Sequence, residues 1–168
     1  VRGIRGAGAT IVGPSFAYYD ESSLSQFLLY ARANGVLPDR VSWHANTERP
    51  ATIEENVSSF RSWMQRHLGT ILPIDINEYT PANLDDSPGA TVRYVAALER
   101  ARTAGARACW SEPGQPYLHC NDYSINGLLN SSSEATSLWW VYERYAELAG
   151  QMVSVHSSSR DEVDGVAS

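Results

Sequence analysis

Lysine is missing altogether from this chain: all 13 of its Lys+Arg residues are Arg. These are scattered rather than gathered into a stripe, and 19 Asp+Glu bring the formal net charge to −6, so the electrostatic footprint of a nucleic-acid binder is lacking. Long apolar runs are lacking too. None approaches the ~18 residues of a membrane span, and no membrane partner is expected. No signal peptide is visible, and an opening on Val1 instead of Met reads as a chain processed or cut from something longer. Cysteine occurs twice, at Cys109 and Cys120, too rarely for a disulfide framework or a metal set. His44, His67, His119 and His156 lack ligand spacing, so neither a metal nor a cofactor is expected. No glycine-rich phosphate turn follows any apolar stretch, which argues against an open dinucleotide-binding sheet.

What is present is enough for one packed domain: 168 residues, 43% of them hydrophobic and 10% aromatic. Two glycosylation sequons, at Asn56 and Asn130, tilt the expected location towards the secreted or extracellular side. Four short apolar stretches read as strands: ATIVGP (9–14), DRVSWH (39–44), ILPIDINE (71–78) and ARACW (106–110). Amphipathic helices lie between them. One carries Leu24, Phe27, Leu28 and Ala31; the next carries Ile53, Val57, Phe60, Met64 and Leu68, opened by a capping box Thr52-x-x-Glu55 and closed by Gly69. Ser87 and Pro88 start a third helix, and a fourth spans about 133–148.

The order is therefore β-α-β-α-β-α-β-α, which implies parallel strands joined by helical crossovers. Strand starts recur roughly every 30 to 35 residues, close to the ~31 per unit of a (β/α)8 barrel. The fold class expected is α/β: residues 1–150 as the C-terminal half of a TIM barrel, strands 5–8 with their helices. Residues 151–168 then read as the first strand of a following β-sandwich, cut short.

Strand side chains alternate between faces. On the third stretch this groups Ile74, Ile76 and Glu78, and in a barrel two aliphatics beneath a terminal carboxylate match the inward layers. The same parity sets His44 above Ser42, with Val41 and Trp43 towards the helices, and Trp110 above Ala108. Asp75 then points at the helices without an evident partner. A carboxylate, an imidazole and an indole at successive strand ends suit sugar chemistry, since the indole face packs on a pyranose and the carboxylate can attack an oxocarbenium-like centre.

TIVGPSFA, VSWHANTE, LPIDINEYTP and ARACWSEP together resemble the second half of a clan-A glycoside hydrolase barrel, most closely family 39, the β-xylosidase and α-iduronidase group. The family's Gly-Pro pair, strand-six His, strand-seven nucleophilic Glu and strand-eight Trp fall on Gly13-Pro14, His44, Glu78 and Trp110. WWVYERYAELAGQMVSV (139–155) is similar to its last barrel helix and the approach to a β-sandwich. The resemblance implies a retaining hydrolase with Glu78 as catalytic nucleophile and an acid/base upstream of Val1. His44, Trp110, Asn46, Tyr79 and Glu112 are then the candidate substrate contacts, and a carbohydrate is the partner. Ala45-Asn46 departs from the family, where an aromatic often follows the His. The alternative is a non-catalytic carbohydrate-binding or interaction module on the same scaffold. Half a barrel would also expose two strand edges, open to the missing N-terminal half or to a second copy in a homodimer.

Overall fold

The computed structural model of the chain describes residues 6, 8–110 and 126–168. Its elements are β1 (Val12–Phe16), α1 (Glu21–Ala33), β2 (Arg40–Ala45), α2 (Ala51–Leu68), β3 (Ile74–Tyr79), a 3-10 turn (Ala82–Leu84), α3 (Pro88–Ala101), β4 (Ala104–Arg107) and α4 (Ser137–Ala146). The strands form one parallel sheet in the order β1-β2-β3-β4. Four parallel strands and four helices make an α/β domain consistent with part of a (β/α)8 barrel.

The helix signals act mostly where the residues place them. The Asp20 side chain accepts from Ser22 N–H at the start of α1, and Ser87 accepts from Ala90 N–H with Pro88 in the first turn of α3. Gly69 ends α2 in the left-handed region at φ 73°. The capping box expected at Thr52 does not form. Helix α2 begins two residues earlier, at Ala51, Thr52 Oγ1 donates to the Arg49 carbonyl, and the Ala51 N–H reaches instead the carboxylate of Asp161. Strand β4 also starts two residues before its expected place. Arg102, at φ 48°, turns the chain off α3, and Thr103 Oγ1 bonds the Ile74 carbonyl at 2.5 Å, so pairing with β3 begins at once.

Registers correct the expected parity. Val41 pairs with Ile74 and Trp43 with Ile76, and residues paired across parallel strands share a face. Trp43 packs edge-on against Phe60 of α2, ring centroids 5.9 Å apart, so that face is the helix side. Ile74 and Ile76 therefore lie in the helix layer, not on the face of Glu78. Val41 and Trp43 face the helices as expected. Together with Ile53, Val57, Phe60, Met64 and Tyr94 they make one buried cluster, each large side chain contributing about 1.5–3 kcal/mol. Asp75 takes the opposite, open face and finds its partner there, a two-pronged ion pair with Arg40 of β2 at 2.5 Å.

The stretch expected to open a β-sandwich contains one isolated antiparallel bridge, Ser159 to Val163, and folds back on the helices. Asp161 sits at the start of α2, Arg160 pairs with Glu54, and the almost wholly buried Asp164 pairs with Arg100 of α3.

Candidate active site

The C-terminal end of β3 breaks the alternation that governs its start. From Trp43 to His44 strand β2 advances one residue while β3 advances two, from Ile76 to Glu78. Against β4 the count agrees: Gly105 to Arg107 is two residues, Ile76 to Tyr79 three. One extra residue thus lies in β3 at Asn77–Glu78, a β-bulge. Its effect is to put Asn77 and Glu78 both on the open face and to return Tyr79 to the helix layer.

Glu78 is half-exposed there, its side chain 41% accessible. His44 Nδ1 lies 3.1 Å from Glu78 Oε2, and Asn46 Nδ2 donates to the same oxygen at 3.3 Å. Both come from β2 and the residue after it, the strand directly beside β3. With its proton on Nδ1 the imidazole donates as well. Two donors converge on one carboxylate oxygen, while Oε1 has no partner among the described residues. Such a group can accept a bond from, or attack, whatever enters above it.

Trp110 comes to the same end of the sheet by another route. Its indole N–H donates to the Thr80 carbonyl at 3.0 Å, tying the segment after β4 to the residue two beyond Glu78. Thr80 is fully buried at φ 82°, a conformation that is strained for a β-branched residue and costs on the order of 1–3 kcal/mol. Strain of this kind persists where the surroundings over-determine it, and here it stands beside the carboxylate.

Of the six candidate residues, Glu78, His44 and Asn46 are in direct contact, and Trp110 reaches the backbone beside them. Tyr79 does not belong with them. The bulge turns it into the core, 3% exposed, stacked on Tyr94 with its hydroxyl 2.8 Å from that of Tyr142. Burial drives its phenol far above the ordinary range. Glu112 lies outside the described residues, as do His119, Asn121 and Asp122. Glu48 accepts from Asn83 at 2.6 Å across the loops after β2 and β3. Among the described residues no group of three or more His, Cys, Asp or Glu could hold a metal ion. Cys109 is disulfide-bonded rather than a free thiol.

Three polar residues on this face were not among the candidate site residues. Asn77 Nδ2 donates to Ser15 Oγ at 2.6 Å, and Ser15 Oγ is 3.3 Å from Ser42 Oγ, so a chain of side chains crosses β2 from β3 to β1. Its trace in the sequence was the loss of alternation in Ile-Asp-Ile-Asn-Glu, where two polar residues run together.

No protein-family model matches the chain, and no curated protein sequence matches it. Solved structures do. The N2152 protein of Neocallimastix frontalis is 29% identical, with a TM-score of 0.82 over 98% of this chain and 40% of its own length. A monomeric β-xylosidase from Caulobacter crescentus CB15 is 17% identical, with a TM-score of 0.63 over 89% of this chain and 36% of that one. A family GH39 β-xylosidase from Caulobacter crescentus gives 19%, 0.61, 89% and 35%. The chain thus spans about two fifths or less of the proteins it matches. What it shares with the last two is a fold related to that of glycosidases, consistent with a fragment of a family 39-like fold.

Proposed function

We propose that the chain is the C-terminal half of a retaining glycoside hydrolase barrel and that Glu78 is its nucleophile. The observation behind this is the geometry of one carboxylate. Glu78 stands at the C-terminal end of a parallel strand, where barrel enzymes carry their catalytic groups. One oxygen is held by His44 and Asn46, the other has no partner among the described residues, and the side chain is 41% accessible.

In the reaction, Glu78 Oε1 attacks the anomeric carbon as the glycosidic bond breaks, and the leaving oxygen takes its proton from a second carboxyl group. Water then releases the sugar and restores the Glu78 carboxylate. The second group must lie about 5–5.5 Å from the first in a retaining enzyme. It is assigned to the part of the protein preceding strand five, which would complete the barrel along the edges of β1 and β4. The substrate is a carbohydrate, with Trp110 as the apolar platform and His44 and Asn46 beside the reacting centre.

Glu78→Gln in the full-length protein tests this. It preserves the shape and both neighbours while removing the nucleophile, so turnover of an aryl glycoside should fall by at least three orders of magnitude. Turnover near the wild-type rate would reject Glu78 as the nucleophile, whereas no turnover by the wild-type protein itself would favour a binding module on a barrel scaffold.

A further inference from the structure

We propose that Asn77, anchored by Ser15, is a positioning residue that holds the Glu78 carboxylate in its reactive orientation; this rests on the nucleophile reading above. The argument is one of counting. Without the extra residue in β3, strict alternation would put Glu78 in the helix layer beside Ile76 and bring Tyr79 to the open face. The bulge is therefore what lets one strand deliver a buried tyrosine and an exposed carboxylate in succession.

A second irregularity matches it. Between Pro14 and Phe16 strand β1 advances two residues while β2 advances one, from Ser42 to Trp43, so Ser15 is an extra residue as well. The two extra residues lie on strands that flank β2, and they are bonded to each other at 2.6 Å. Ser15 sits at φ 62°, an unfavourable backbone for a serine, and its hydroxyl also approaches the wholly buried Ser42 Oγ. Asn77 Oδ1 is itself buried and has no hydrogen-bond partner among the described residues. A strained serine and an unsatisfied amide oxygen are costs, and what they maintain is the location of the bulge. Unanchored, a one-residue bulge can shift along its strand, and Glu78 would move with it relative to His44 and Asn46.

Loss of the anchor should thus affect the attack step and spare substrate binding, because neither Asn77 nor Ser15 is assigned a contact with the sugar. Displacement of a reacting group by about 1 Å costs on the order of 10²-fold in rate. The test uses the full-length protein with Asn77→Ala and, as the gentler change, Ser15→Ala, which removes one hydroxyl. Rates are read on 4-nitrophenyl glycosides of both anomers, and the attack step is isolated as the rate of inactivation by the matching 2-deoxy-2-fluoro glycoside. Glu78→Gly is assayed alongside with sodium azide, which attacks the anomeric carbon in place of the carboxylate, displaces nitrophenolate and leaves a glycosyl azide.

The expected result is a fall of about 10- to 100-fold in both kcat and inactivation rate for each variant, with KM within about threefold and melting temperature retained. If both variants stay within about twofold of wild type while Glu78→Gly is inactive and rescued by azide, the positioning role is overturned and the nucleophile stands. If Glu78→Gly keeps wild-type activity, the nucleophile reading fails and the positioning role falls with it.

Discussion

Arg107 at the end of β4 is the place where one substitution should cost most. Its side chain is 7% exposed and Nη2 lies 2.7 Å from Oδ1 of Asp85, which is 1% exposed. The guanidinium also donates to the backbone carbonyls of Asp85 and Asn126, so one residue ties β4 to the loop after β3 and to the segment before α4. Removing one member of a buried pair leaves the other charge desolvated, at about 3–5 kcal/mol. Arg107→Met has nearly the volume of the arginine stem and isolates that loss from cavity formation. For an m-value of about 2 kcal/mol per M of urea, a 4 kcal/mol loss moves the unfolding midpoint by about 2 M. Asp85→Asn added to Arg107→Met neutralises the carboxylate that has lost this partner and should restore part of the loss. Equilibrium urea unfolding followed by tryptophan fluorescence measures both. A midpoint shift below about 0.3 M for Arg107→Met, or no recovery in the double variant, would refute the view that desolvation of Asp85 dominates.

Two further expectations concern the layer behind the site. The phenols of Tyr79 and Tyr94 are both raised well above their ordinary value of 10.0, chiefly by burial. The unfolded chain releases these protons first, so stability is full below pH 10 and falls as pH rises beyond it, by roughly 1.4 kcal/mol per pH unit for each phenol. Melting temperatures between pH 8 and 11.5 should show this decline, and Tyr79→Phe should make it shallower; equal slopes would contradict the assignment. Gly105 faces the helix layer, where an added Cβ would stand 2.7 Å from Leu98 Cδ1 and 3.2 Å from the Tyr79 ring. Gly105→Ala should therefore cost about 1–3 kcal/mol through overpacking, and combining it with Leu98→Ala should cost less than the sum of the two single changes. Additivity in thermal melts would show that the close approach is not felt.

The element order and most helix ends were readable because the signals are local. Ser87-Pro88 and Gly69 act through backbone geometry within a few residues of themselves, and the spacing of Leu24, Leu28 and Ala31 writes a helix face into the chain. Thr52 shows the limit. Its motif was complete, yet the first N–H of α2 was taken by Asp161, more than a hundred residues away, and no local pattern could announce that. Asp75 lacked a partner in the sequence for the same reason, since Arg40 is brought to it only by strand pairing.

The structure sets Glu78 beside His44 and Asn46, while the reasoning that grouped them needs repair. Parity along β3 was right that Ile74 and Ile76 share a face and wrong about which face it is, and the error was hidden by an extra residue that put the carboxylate on the open side. By itself, the sequence determined a β/α alternation, amphipathic helices and a carboxylate at a strand end, because those depend on neighbours along the chain. Only the tertiary structure decided that Ile76 and Tyr79 are core, that Glu78 is not, and that His44 and Asn46 share one of its oxygens. A period of two fixes relative faces alone, and the absolute face is set by the register of adjacent strands, here with one extra residue in β3.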